Sequence, residues 1–177
     1  NNGTYTIATY SGSLTGTFNS VVGLPLGYSV NYATANQIRL MFTPVQTLTW
    51  RGTPGSIWSI NGADANWQGN QSFSNGAAVV FNDTVGAGST TINLNGTVSP
   101  GAVTFDNTAV DYTVVGGAGN SIGGSATLIK NGTGSLTISG PNTYTGGTDI
   151  NAGTLRLAAN DTLPDIGTVT VAPGAVL

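Results

Sequence analysis

The sequence has 177 residues, a net charge of −3 and neither cysteine nor histidine. Its four cations (Arg39, Arg51, Lys130 and Arg156) are scattered, and its seven acidic residues are all Asp. Such a chain lacks the basic stripe that nucleic acid or an anionic membrane requires. It also lacks the residues for disulfides, thiolate or histidine metal sites and Ser-His-Asp catalysis.

Disorder is excluded as well, because hydrophobic residues make up 39% of the chain and disorder calls for low hydrophobicity with high net charge. No apolar run approaches the ~18 residues of a membrane span, so no membrane insertion by this segment is expected. With 27 Gly and many Thr, Asn, Ser and Val, the composition suits short strands joined by tight turns and disfavours helices. Residue 1 is read as a processed start or a cut from a longer chain, and a surface solubilised by Asn, Thr and Ser rather than charge is of the kind common on cell surfaces.

In chain order, Asn2-Gly3-Thr4 reads as a turn and Tyr5–Tyr10 as a strand, followed by Leu14–Phe18. Tyr28–Tyr32 and Gln37–Phe42 alternate with period two, the mark of a sheet with one buried face. Trp50, Trp58 and Trp67 then fall among Gly and Pro turns. They read as plugs for the end of a β core, with a ligand platform as the alternative. From Ala77 onward the strands are Ala78–Phe81, Thr91–Leu94, Ala102–Phe105 and Asp111–Val115, starting about every ten residues. Thr127–Ile129, Ser135–Ile138, Thr154–Leu157 and Thr168–Val171 follow. Turns such as Asn95-Gly96, Asn131-Gly132 and Pro173-Gly174 separate them. A sandwich of hairpins and a solenoid of about three strands per coil both fit this rhythm.

The stretch Leu128–Leu157, LIKNGTGSLTISGPNTYTGGTDINAGTLRL, closely resembles the autotransporter-associated β-strand repeat, or passenger-associated transport repeat, of bacterial surface proteins. Lys130, Gly132, Gly134, Leu136, Ile138, Gly140, Asn142, Tyr144, Gly146, Gly147, Thr148, Gly153 and Leu155 carry the likeness. The resemblance implies an all-β, right-handed parallel β-solenoid (β-helix) with an N-terminal β-rich section, serving as stalk, adhesin or carrier. Residues 1–46 are similar to the end of a preceding unit. Residues 47–177 are similar to a Trp-containing start followed by the solenoid, with the repeat at 128–157.

That order, and the unfinished strand Ala175-Val176-Leu177 without a polar cap, point to head-to-tail self-association, as tandem repeats or as a filament. An adhesin binding surface carbohydrate is the alternative function, with Tyr5, Tyr10, Tyr28, Tyr32, Tyr112 and Tyr144 as stacking platforms where they face outward.

No catalytic, cofactor-binding or metal residue is expected. A polysaccharide-degrading β-helix would have to use Asp pairs such as Asp106 with Asp111 or Asp161 with Asp165, and each reads better as a turn cap. Asn160, Asp161 and Asp165, or Asn82 with Asp83, are thin sets for calcium, which takes six to eight oxygens. The acceptor-like triplets at Asn2, Asn70, Asn82, Asn95, Asn131 and Asn160 read as turns.

Overall fold

The computed structural model describes residues 4–13, 15–16, 28–42, 45–62 and 64–177. They fall in two compact units, Asn1–Val45 and Gln46–Leu177. The expected turn at Asn2-Gly3, and Leu14, Thr17 and Phe18 of the second expected strand, lie outside the described residues.

The first unit contains β1 (Thr4–Thr9), β2 (Tyr28–Asn31) and β3 (Gln37–Phe42) in one antiparallel sheet of order β1-β3-β2. Tyr5 stands opposite Leu40 and Leu40 opposite Val30, while Thr6, Arg39 and Asn31 form the adjacent row. Because side chains alternate between faces, the first row is apolar and the second polar. A bulge at Ile7 shifts the register. Tyr5 and Ile7 are 61% and 53% exposed.

The second unit is built differently. Its strands are β4 (Thr47–Thr49), β5 (Ile57–Ser59), β6 (Ala78–Asn82), β7 (Thr91–Asn95), β8 (Thr97–Val98) and β9 (Ala102–Asp106). Then come β10 (Tyr112–Val115), β11 (Ser121–Ile122), β12 (Leu128–Lys130), β13 (Ser135–Ser139), β14 (Thr148–Ile150), β15 (Thr154–Leu157) and β16 (Val169–Val171). They form three sheets of order β16-β14-β12-β9-β6-β4, β15-β13-β10-β7-β5 and β11-β8. Every named strand pair in this unit is parallel.

The chain visits the sheets in turn and returns one strand further along each, which is a parallel β-solenoid. Paired positions lie 24 residues apart early in the stack (Ala78 and Ala102), then 25 (Val103 and Leu128), then 20 (Leu128 and Thr148). The hairpin sandwich is therefore wrong for this unit. Asn95-Gly96 and Asn131-Gly132 are corners that turn the chain onto a different sheet. Among the described residues, antiparallel pairing between named strands occurs in the first unit alone, and the second has only isolated antiparallel bridges such as Trp50 with Trp67.

Parallel register puts like side chains above one another. Leu48, Val79, Val103, Leu128 and Thr148 form one inward column. Phe81, Phe105, Lys130 and Ile150 form the next. The opposite sheet contributes Tyr112, Leu136 and Leu155, and Ile92, Val114 and Ile138. All of these are buried. The sequence reading found the alternating strands but missed β4, β5, β8, β11 and β14. These have only two or three residues, too few to display a period of two. They are strands because a parallel neighbour pairs them.

The many Asn residues work at the corners. Asn142 accepts from the Ile122 amide at 2.9 Å and donates to the Thr162 carbonyl at 2.8 Å, so it ties together the coils before and after its own. Asn120 accepts from the Gly96 amide and Asn75 from the Ser99 amide, each one coil away. These amides satisfy backbone groups that the ladder leaves free at the bends. Glycine permits the close stacking there. A methyl at Gly132 would lie 1.9 Å from the Asn107 carbonyl oxygen.

Two substitutions test this packing. Leu136→Ala should cost about 2–5 kcal/mol in urea unfolding, the usual penalty for emptying a filled interior position. Gly132→Ala should destabilise the second unit clearly, because its methyl meets backbone rather than a mobile side chain. Unchanged midpoints in either variant would contradict this stacking.

Candidate functional site

Trp50, Trp58 and Trp67 are fully buried. Trp50 and Trp67 meet edge to face at 5.1 Å, as do Trp58 and Trp67 at 5.7 Å and Trp58 and Phe73 at 5.4 Å. The Trp50 indole donates to the Ser89 carbonyl at 2.8 Å. Asn66 braces the adjoining loop by accepting from the Gly55 amide and donating to the Ile57 carbonyl, both at 2.8 Å. The rings thus fill the first coil. With no exposed ring face they are not a ligand platform.

One corner of the solenoid gathers the polar chemistry. The Asp83 carboxylate accepts from the amides of Thr108, Ala109 and Val110 on the next coil, at 3.0–3.3 Å. The Thr108 bond leads in holding the carboxyl below its ordinary value, with Ala109, Val110 and the Lys130 charge adding to it against a desolvation penalty. Asn107, fully buried, donates to the Val110 and Ser135 carbonyls, while its Oδ1 accepts nothing. The Tyr112 hydroxyl donates to the Asn82 carbonyl at 2.7 Å. Burial first, and Asp83 second, push that phenol well above its ordinary value.

Lys130 is fully buried and its Nζ donates to the Gly132 carbonyl. Burial lowers its pKa, opposed by the charges of Asp106, Asp111 and Asp83. The sequence reading used Lys130 as a motif residue and did not identify it as interior. Its position two residues after the inward Leu128 was the available signal.

The other candidates lie apart from this corner cluster or at strand ends and turns. Asp111 accepts from the Ser135 amide at 2.7 Å. Asp106 is exposed and stands opposite Asn82. Asp161 and Asp165 are exposed, and among the described residues no three acidic groups gather as metal ligands. Asn82 accepts from the amide and hydroxyl of Thr84, and Asn131 from the Asn151 amide. Asn2 lies outside the described residues. Tyr112 and Tyr144 are buried and cannot serve as platforms, whereas Tyr5, Tyr10, Tyr28 and Tyr32 are at least partly exposed.

Residues 128–157 match the family model of the passenger-associated-transport-repeat. This segment is a passenger-associated transport repeat. The chain is also 29% identical over 201 aligned residues to the adhesin BmaC autotransporter of Brucella suis biovar 1 (strain 1330). That match takes in 91% of this chain and only 6% of the adhesin, so the chain corresponds to a small part of its relative. No solved structure matches. The likeness places the chain among extracellular or cell-surface bacterial proteins.

The repeat runs from β12 through β13 and β14 to β15, so each main sheet receives two of its strands. Leu136, Ile138 and Leu155 fill its interior, and Tyr144 bonds Thr148 at 2.8 Å inside the bend. Asn142 ties the repeat to the coils before and after it, and Gly132 and Gly134 pass against Asn107. The motif is therefore the recipe for a tightly stacked coil, with Lys130 as its one interior charge.

Acid and base titrations separate the effects of the exposed Asp83 and the buried Lys130. With its folded pKa depressed, Asp83 contributes its stabilisation in full above the ordinary value of 3.8 and loses it as pH falls through the folded value. Asp83→Asn should lower the unfolding midpoint at neutral pH and flatten its fall between about pH 5 and pH 2. Lys130 has the opposite linkage: a lowered lysine pKa penalises the charged folded state, so stability rises as pH climbs toward the ordinary 10.5. Lys130→Met should remove that rise between about pH 8 and pH 10. Parallel curves for variant and parent would disprove the corresponding assignment.

Proposed function

We propose that this chain is a non-catalytic structural segment of a bacterial surface adhesin passenger, a stretch of stalk whose coils lengthen by stacking. The observation that carries the reading is the parallel interior columns, into which the repeat fits as further coils of the same kind. The Asp residues bonded to backbone amides at corners support a structural role rather than acid–base work.

The second element of the proposal concerns assembly. β15 and β16 are the outer strands of their sheets at one end of the stack. Leu157, Val169 and Val171 there are 42–44% exposed, although they continue the inward columns. Val176 already bridges the start of β15, and parallel strand addition would cover these side chains and pair the rest of the edge. The added coil comes either from the same polypeptide or, head to tail, from the first unit of a neighbouring copy, whose sheet has its own apolar row.

Sedimentation and electron microscopy of residues 1–177 and 46–177 distinguish these sources. Head-to-tail joining predicts concentration-dependent chains of the longer form and monomers of the shorter. If both stay monomeric at high concentration, completion between copies is wrong and further coils of the same polypeptide remain as the source.

A further inference from the structure

The two outer strands at the far end of the stack are not equally free. On β15, the Leu155 amide donates to the Val176 carbonyl at 2.9 Å and Val176 bridges Thr154, so the chain itself has begun to cover that edge. β16 ends its sheet, with no further named strand beside it among the described residues. Its register is set by β14, with Val169 on Thr148, Thr170 on Asp149 and Val171 on Ile150. The Ala172 amide continues the ladder to the Ile150 carbonyl at 2.8 Å. Val169 and Val171 therefore top two interior columns, and both are exposed.

One other segment of the chain repeats the pattern of that rung. Residues 5–8 read Tyr-Thr-Ile-Ala and residues 169–172 read Val-Thr-Val-Ala. Laid parallel and in register, Tyr5 would stand on Val169, Thr6 on Thr170, Ile7 on Val171 and Ala8 on Ala172. Apolar residues would then meet apolar columns, and Thr6 would join an outward row that already holds Thr49, Thr104 and Thr170. Tyr5, Thr6, Ile7 and Ala8 are all exposed, in β1, the outer strand of its own sheet. Tyr5 and Ile7 are large apolar groups whose burial is favourable, and Ile7, at the bulge, has no counterpart on β3. Neither β1 nor β16 contains a charged residue or Pro, the usual means of blunting a sheet edge.

We propose that β16 is the docking edge for β1 of a second copy, added in parallel with Tyr5 over Val169 and Ile7 over Val171. The pairing rests on the head-to-tail reading and gives it a strand, a direction and a register. Backbone hydrogen bonds along the two strands supply affinity, while Tyr5 and Ile7 extend the two columns and fix the register. Each copy offers one β1 and one β16, so the contact is heterologous and joins copies into chains.

Cysteine cross-linking tests the register on a clean background, since the sequence contains no Cys. Thr6→Cys and Thr170→Cys, each in the full 177-residue chain and told apart by isotope label, are mixed at high concentration and oxidised. Parallel neighbours in register lie about 4.8 Å apart, within disulfide reach. A mixed dimer joined through positions 6 and 170 should form in several-fold excess over the one from Thr6→Cys with Val115→Cys, on the other main sheet. Without cysteines, Tyr5→Asp should weaken association in sedimentation about tenfold or more, because it buries a charge, and Tyr5→Phe by less than about threefold. Val169→Asp, on the receiving edge, should match Tyr5→Asp and gives the reading if Tyr5→Asp disturbs the first unit. Chains that form but cross-link no better through positions 6 and 170 than through the control pair would overturn this pairing and leave head-to-tail joining standing. Association indifferent to both Asp substitutions would do the same. A 177-residue chain that stays monomeric at high concentration would overturn both.

Discussion

Parallel in-register pairing along the stack is the constraint on which the rest of the second unit depends. It places each inward side chain above its counterpart in the preceding coil, so interior columns must be chemically compatible over their whole length. The ring stack of Phe81 on Phe105, at 4.5 Å and 11° between planes, follows directly from their register. Tyr112 packs edge-on against both from the opposite sheet. The same register brings Lys130 one coil beyond Phe105, inside the core. A burial that would be costly in isolation is offset by a carbonyl partner and by carboxylates at the same corner.

Corners set the second requirement. A coil must bend between sheets, and each bend interrupts the ladder and frees amides and carbonyls. Burying those groups unpaired costs more than the hydrogen bond returns. The chain answers with short amide and carboxylate side chains that reach the neighbouring coil, as Asn142, Asn120 and Asp83 do. This explains a composition rich in Asn and Gly yet poor in charge. Asn matches both a donor and an acceptor without a formal charge to desolvate, and Gly lets one backbone pass against another.

The two units divide the physical tasks. The second buries a continuous core and ends in a rung whose inward-column side chains Leu157, Val169 and Val171 are left partly exposed. The first is a small antiparallel sheet carrying tyrosines.

Much of this was legible in the sequence. Alternation over Ala78–Asn82, Ala102–Asp106 and Ser135–Ser139 fixed strands and their inward faces, because a period of two survives any arrangement of neighbours. The long motif at 128–157 identified the coil type, and the absence of His, Cys and Glu removed the usual catalytic sets. Tertiary structure alone decided the rest. Strands as short as β8 or β14 exist only because a parallel neighbour pairs them, and Asn-Gly corners read locally as hairpins until the next strand is seen to join another sheet. The burial of Trp50, Trp58, Trp67 and Lys130 and the capture of three distant amides by Asp83 bring together residues far apart in the chain. Periodicity cannot encode such encounters, since they depend on how many residues each turn of the coil consumes.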